Sequence, residues 1–251
     1  MNADHFFIVG AQRSGTTYLY QILDEHPEIE MAKPVRPEPK FFLRPDLNTL
    51  SREDYLRQFF DPAGSGRLRG EKSTTYIESE YAAKHIAAWF PDAKLIFLLR
   101  EPIARALSNY HFSRRNGFET LPLEQAIYSE GERRDQYDPA KVSTSPYAYL
   151  QRGRYIEYIQ LYARYFDQQQ LLILIHEEVM GQAAAISDLY ARLGVDAAYS
   201  PPSLHQHINS GHEEMGSPLA PALEQYMREC FAEPTAQLEA LLGRRITAWI
   251  R

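Results

Sequence analysis

The sequence predicts an α/β protein: a P-loop-like three-layer sandwich whose central, mostly parallel sheet is flanked by helices. Three observations carry this expectation. Residues 6–9, Lys94–Leu99 and Leu171–Ile175 are short apolar runs of strand length, rich in residues that suit a buried strand. Segments with apolar residues at helical spacing separate them, and strands alternating with helices favour a parallel sheet covered on both faces. The first run leads into Gly10-Ala11-Gln12-Arg13-Ser14-Gly15-Thr16-Thr17 and then into Tyr18, Leu19, Ile22 and Leu23 at helical spacing. That is strand, tight loop, helix, and a helix N-terminus offers unpaired amides and a positive dipole end to an anion.

Taken in order, the first helix starts near Gly15 or Thr16 and fades by His26, before Pro27. Residues 27–45, with Pro27, Pro34, Pro37 and Pro39, read as extended or irregular. Phe41 and Phe42 in that stretch call for a core to pack on. Ser51-x-x-Asp54 resembles a capping box and opens a helix to about Phe60. Residues 61–70 read as a turn, and 71–76 as a short strand or strand end. Residues 80–90 form a helix stopped by Pro91. Lys94–Leu99 is the clearest buried strand. Pro102 suits the first turn of a helix that ends at Asn116-Gly117. Residues 123–129 are helical; 130–145 are charged and unpatterned, a mobile surface loop. A helix over 155–166, the strand Leu171–Ile175 and a helix over 183–193 closed by Gly194 follow. Residues 199–216 have no regular pattern, and two helices, 220–231 and 235–242, finish the chain.

The length of 251 residues fits one domain, 1–251. A net charge of −6 gives no general attraction to nucleic acid or to an anionic membrane. Cys230 stands alone, so no internal disulfide forms and a reducing compartment is compatible. No apolar run reaches the roughly 20 residues that span a bilayer, and residues 1–5 do not read as a signal peptide. A cytoplasmic protein without a membrane span is the expectation; oligomeric state is not readable. His205-x-His207 alone does not make a zinc site, so no metal is expected.

Gly10-x-x-x-x-Gly15 matches the opening of a nucleotide P-loop, which continues Gly-Lys-[Ser/Thr]. Thr16 stands where that lysine belongs, and Arg13 is the only cation of the loop. An NTPase needs the lysine on its β- and γ-phosphates, so the spacing favours anion binding over NTP hydrolysis. Glycines that serve only the turn are the plainer alternative. Arg100 ends a buried strand, and Ser108 follows on the next helix. A guanidinium there suits a phosphate, and a serine hydroxyl adds a donor. Taken alone, Arg100 reads as a partner for Glu101 or another local carboxylate, and Ser108 as helix surface.

Together the two sites resemble the cofactor site of the sulfotransferases that use 3′-phosphoadenosine 5′-phosphosulfate (PAPS). Arg13-Ser14-Gly15-Thr16-Thr17-Tyr18-Leu19 is similar to their [Lys/Arg]-x-Gly-Thr-x-x-Leu loop. Leu99-Arg100-Glu101-Pro102-Ile103-Ala104-Arg105-Ala106-Leu107-Ser108 is similar at every marked position to Leu-Arg-[Asp/Glu]-Pro-x-x-Arg-x-x-Ser. The Lys-Thr-His segment of the phenol and steroid branch is not found. Glu38-Pro39-Lys40-Phe41-Phe42 instead resembles the Glu-x-x-Phe-Phe segment of the heparan sulfate and related carbohydrate branch. Glu71-Lys72-Ser73-Thr74-Thr75-Tyr76 resembles Lys-[Ser/Thr]-Pro-x-Tyr, with Thr74 in place of proline. Arg152-Gly153-Arg154-Tyr155 resembles the segment before the helix that covers the adenosine, and Leu241-Leu242-Gly243-Arg244 the family's ending. The basic, glycine-rich closing loop has no match in residues 205–215, which carry no Lys or Arg.

The resemblance implies a PAPS-dependent transfer of a sulfuryl group to a hydroxyl of a glycan or small-molecule acceptor, leaving 3′,5′-ADP. It assigns Gln12, Arg13, Ser14, Gly15, Thr16 and Thr17 to the phosphosulfate, Arg100 and Ser108 to the 3′-phosphate, and Arg154 and Tyr155 to the nucleotide. Glu38 becomes the general base, Lys72 a contact of the sulfuryl group or acceptor, and His111 a second candidate base. Without the resemblance Glu38 reads as a solvated loop carboxylate, Lys72 as a strand-end charge and His111 as an ordinary helix histidine. Lys33, Arg36, Lys40, Arg44, Arg114 and Arg115 either line a cleft for an anionic glycan or are surface charges. A P-loop nucleotide or small-molecule kinase and a non-catalytic nucleotide-binding module are the alternatives.

Overall fold

The computed structural model describes residues 4–61, 66–138, 142, 144–206 and 219–250. The described chain forms two compact units, Met1–Leu99 with Ile159–Asn209, and Arg100–Tyr158 with Ser210–Arg251.

The first unit is built on a five-stranded, fully parallel sheet in the order β2-β3-β1-β4-β5. Its strands are β1 (His5–Gly10), β2 (Ile29–Met31), β3 (Leu68–Lys72), β4 (Lys94–Leu99) and β5 (Leu171–Ile175). Central β1 is buried at every position, as a strand covered on both faces must be. Its side chains alternate. Phe6 and Ile8 join a core with Leu19, Ile22 and Leu23 of α1 (Thr16–Asp24) and with Ile186, Leu189 and Leu193 of the Ala183–Leu193 helix. His5 and Phe7 enter the opposite layer, among Phe42, Tyr55, Phe60 and Phe90. That layer is closed by α2 (Arg52–Phe59) and α3 (Glu80–Trp89). Ser51 and Asp54 form the expected capping box on α2.

Adjacent β1 and β3 therefore send the chain to helices on opposite faces, α1 and α3. In parallel sheets such a divergence opens a ligand crevice at the carboxyl edge, and Gly10 and Lys72 are the last residues of these two strands.

His5 is 1% exposed. Burial pushes its imidazole down to about 4, and the charges of Arg52 and Arg69 add to this against the opposing pull of Asp4. The folded protein thus keeps His5 neutral where the unfolded chain takes a proton. His5's share of stability is intact above about pH 6.5 and is lost as the pH falls toward 4. Thermal unfolding of His5→Phe should lose less stability across that window than wild type; parallel pH curves would contradict this.

The second unit contains α4 (Pro102–Arg115), α5 (Leu123–Tyr128), α6 (Glu130–Arg133) and α10 (Pro221–Leu242). Glu101 caps α4, accepting from the Ile103 and Ala104 amides at 3.1 and 2.6 Å. Ile103, Ala106 and Tyr110 pack with Ala126, Ile127, Tyr149, Leu223, Met227 and Phe231. The chain passes back to the first unit within α7 (Tyr155–Tyr162), and α8 (His176–Val179) and α9 (Ala183–Leu193) follow β5.

Five expectations need correction. The extended stretch after Pro27 holds strand β2; it is three residues long, with Glu30 at its middle, and so lacks an apolar run. The turn expected to reach residue 70 gives way to β3 at Leu68. The loop expected over 130–145 begins with a helix. Its Glu130 is buried and accepts from the Leu150 and Gln151 amides at 2.5 and 2.8 Å, and Arg133 pairs with buried Glu119 at 2.9 Å. Charges satisfied inside a fold look, in sequence, like charges facing water. The two C-terminal helices are one, with Pro234 buried inside it. Proline cannot donate to the carbonyl four residues back; here the Cys230 carbonyl accepts from Arg154 Nη1 at 3.5 Å. The helix expected to reach residue 166 stops at Tyr162. Among the described residues no helix is long and apolar enough to cross a membrane.

Candidate active site

The loop between β1 and α1 is shaped by backbone constraints. Gly15, the N-cap of α1, holds φ 88, and a Cβ there would meet His176 Nδ1 at 2.8 Å. Only glycine meets both conditions. Arg13 also sits in the left-handed region, at φ 68, an arrangement that costs on the order of 1 kcal/mol or more and persists only where neighbours impose it. One such neighbour is His176, whose Nδ1 lies 2.9 Å from the Ser14 carbonyl; with a carbonyl as acceptor, Nδ1 carries the proton. No N-cap side chain satisfies the first amides of α1, and no acidic residue stands in its first turn. Buried Ser14 Oγ has no hydrogen-bond partner. Uncapped amides, an orphan hydroxyl and a nearby guanidinium suit a group with several anionic oxygens.

On the neighbouring strand, Lys72 pairs with Ile8 in register. Its Nζ donates to Glu38 Oε1 at 2.6 Å, with the two side chains 4% and 16% exposed. Glu38 Oε2 accepts from the Thr74 amide at 2.9 Å, and Thr74 Oγ1 lies 3.1 and 3.0 Å from the two carboxylate oxygens. The residue read as a departure from the motif thus has a use. Proline at 74 has no N–H and no hydroxyl, whereas threonine gives Glu38 both.

The segment carrying Glu38 is anchored by packing. Phe41 and Phe42 are buried against Tyr55, Trp89 and, for Phe42, Tyr76. The Lys40 amide donates to Ser73 Oγ at 2.9 Å, and the Phe42 amide to Tyr76 Oη at 3.1 Å. Tyr162 Oη in turn donates to the Tyr76 carbonyl at 2.8 Å. Glu38, Lys72 and the Gly10–Gly15 loop are therefore brought to one edge of the first unit's sheet.

In the second unit, Arg100 is half-buried and Ser108 is 8% exposed on α4. Tyr155 Oη donates to the Arg100 carbonyl at 2.7 Å, so Tyr155 fixes the backbone of Arg100. Arg154 pairs with Glu157 at 2.5 Å. His111 is half-buried, its ring edge-on to Tyr110 at 5.4 Å. Of the basic residues considered for an anionic acceptor, Lys33 is paired with Asp24, Arg44 with Asp46, and Arg114 donates to the Thr120 carbonyl. Residues 207–215 of the expected closing segment, with His207, lie outside the described residues.

Sequence reasoning missed Thr74, Ser73 and His176 as supports. Thr74 carried a signal as the one mismatch in its motif and Ser73 as the match beside it, but the bonds of Ser73 to the Lys40 amide and Glu71, and of His176 to the Ser14 carbonyl, are encoded by no spacing.

Comparison with known proteins places the chain as a whole. A family model described as "Sulfotransferase domain" matches residues 3–205. A bifunctional heparan sulfate N-deacetylase/N-sulfotransferase 2 of Bos taurus is 31% identical over 197 residues, covering 76% of this chain and 22% of that protein. A heparan sulfate glucosamine 3-O-sulfotransferase 3B1 of Mus musculus is 27% identical over 177 residues, covering 70% of this chain and 42% of that protein. The chain thus spans less than half the length of these relatives. A crystal structure of a sulfotransferase from Alicyclobacillus acidocaldarius superposes with a TM-score of 0.80 at 28% identity, covering 100% of both chains.

Proposed function

The chain belongs to the sulfotransferase domain family, and on that premise we propose that it moves a sulfuryl group from PAPS to a hydroxyl of a carbohydrate, glycolipid or small natural product, with Glu38 as general base. One observation carries this reading. Lys72, the last residue of the strand next to β1, holds Glu38 in a largely buried ion pair at the sheet edge that carries the uncapped, arginine-bearing loop. A base and a cation beside an anion site are what an in-line transfer to a hydroxyl needs.

The donor supplies the sulfuryl group and, as leaving group, a phosphate-terminated nucleotide. The residues divide the remaining work. Gln12, Arg13, Ser14 and Gly15, with the Thr16 and Thr17 hydroxyls, hold the phosphosulfate and stabilise charge that develops on the bridging oxygen. Lys72 Nζ balances charge on the sulfuryl oxygens. Glu38 accepts the acceptor's proton at a carboxylate oxygen, and Thr74 keeps that carboxylate in place. Arg100 and Ser108 take the 3′-phosphate, and Tyr155 steadies the Arg100 backbone beside Arg154. His111 is the alternative base, but Glu38 is favoured because it already holds the cation that the chemistry needs. No metal is invoked. The site is proposed to work in the cytoplasm.

Arg100→Ala should raise the KM for PAPS roughly 10- to 100-fold, the effect of losing one charge-assisted contact, while kcat changes little. Steady-state kinetics with labelled PAPS checks this; a lowered kcat at unchanged KM would remove Arg100 from the donor site. An assay of sulfate transfer to a panel of glycosides and phenols tests the reading as a whole.

A further inference from the structure

Next to Lys72 in β3 is a carboxylate for which the reaction just described has no use. Glu71 is 0% exposed. Its Oε1 accepts from Ser73 Oγ at 2.6 Å, and the same Ser73 Oγ accepts from the Lys40 amide at 2.9 Å. Lys40 holds φ 49, a conformation that a lysine keeps only under constraint. Glu38 lies two residues before it. The Glu38 segment is thus tied to the chain after β3 at two amides, Lys40 and Phe42, and the first tie ends on Glu71.

The surroundings make this end titratable. Burial pushes the Glu71 carboxyl up to about 7; the hydroxyls of Ser73, Tyr76 and Tyr55 pull it down, and the charge of Glu38 adds to the rise. The groups facing it are the Tyr55, Tyr76 and Tyr162 phenols, each pushed well above its usual range by burial and by Glu71. The Arg69 charge reaches Tyr55 from the same strand, and Lys72 is the adjacent cation. A carboxylate accepts from Ser73 more strongly than a neutral amide does, at the cost of burying an ionisable group, so the charge of Glu71 sets the strength of the tie.

We propose that Glu71 is a positioning residue for sulfuryl transfer: through Ser73 and the Lys40 amide it holds the segment that presents Glu38 to Lys72 and Thr74. The proposal rests on the reading of Glu38 as base, and it adds a second carboxylate whose ionisation sets how firmly the first is placed. Glu71 touches neither donor nor acceptor in this role.

The test uses the full chain with Glu71→Gln, Ser73→Ala and Glu38→Gln. Removing a buried acid whose charge is penalised above neutral pH relieves strain on folding, so Glu71→Gln stays folded; Ser73→Ala breaks the same tie without touching the charge. Kinetics use PAPS and the acceptor with the best wild-type turnover among glycosides and phenols. Misplacing a reacting group by about 1 Å costs up to roughly 10²-fold, so Glu71→Gln and Ser73→Ala should each lower kcat roughly 10- to 100-fold, with the KM for PAPS within about twofold. The inflection of kcat near neutral pH should vanish in Glu71→Gln and persist in Ser73→Ala. Hydrogen exchange, which needs no acceptor, should show faster exchange at the Lys40 amide in both variants and no change at Phe42. Unchanged kcat, an unchanged pH profile in Glu71→Gln, or an unchanged Lys40 amide would overturn the proposal. If Glu38→Gln is inactive while the other two variants are silent, only the positioning role falls; if Glu38→Gln is active, the base assignment falls first.

Discussion

Glu38→Gln should lower kcat by roughly 10²- to 10⁴-fold, the usual contribution of a positioned general base to a weakly acidic hydroxyl, while 3′,5′-ADP binds as to wild type. The substitution keeps the shape of the side chain and its ability to accept from the Thr74 amide and hydroxyl. What it removes is a basic oxygen and the charge opposite Lys72, 2.6 Å away. Lys72 is 4% exposed, and an unpaired buried ammonium is costly, so some loss of stability accompanies the loss of turnover. Single-turnover sulfate transfer and calorimetric titration with 3′,5′-ADP separate the two effects. Normal turnover in Glu38→Gln would move the base elsewhere, with His111 the next residue to replace.

Arg13→Ala should lower kcat/KM for PAPS by on the order of 10³-fold, the scale set by single donors aimed at developing charge. Arg13 is the one cation of the loop, and the chain keeps it in a left-handed conformation. Arg13→Lys retains the charge without the planar fork and should recover part of the loss. Single-turnover rates at saturating and limiting PAPS show whether the loss falls on binding or on transfer. Equal rates in wild type and Arg13→Ala would leave the loop as a turn without a catalytic part.

The parts of the fold legible in the sequence are those where local chemistry and burial coincide. Lys94–Leu99 is apolar throughout because both faces of the sheet are covered. Pro102 with Asn116 and Gly194 mark helix ends that backbone geometry demands. The illegible parts are those where polar groups are buried. β2 has Glu30 at its centre, 8% exposed and accepting from the Asp61 amide at 2.7 Å. Pro234 ends a helix by local rule, yet α10 continues through it because its side chain is buried and another donor reaches the carbonyl it leaves.

The candidate site divides in the same way. Glu38, Lys72 and the Gly10–Gly15 loop were readable through motif resemblance, and the sheet brings them to one edge because β1 and β3 are neighbours. Glu71 reads in the sequence only as part of a strand segment: a carboxylate beside a lysine looks like surface charge, and its neighbours Tyr55 and Tyr76 lie at separations no periodicity links. Thr74 gained meaning once its amide was seen to end on Glu38.

The central claim is that the chain recognises a nucleotide by phosphates at both its 5′ and 3′ positions and not by a triphosphate. Calorimetric titration of 3′,5′-ADP, 5′-AMP and ATP with magnesium into the wild-type protein tests it most directly. The account predicts that 3′,5′-ADP binds at least roughly tenfold more tightly than 5′-AMP, as one added charge-assisted contact implies, and that ATP with magnesium binds more weakly than either. ATP with magnesium binding more tightly than 3′,5′-ADP, or equal affinity for 3′,5′-ADP and 5′-AMP, would contradict it.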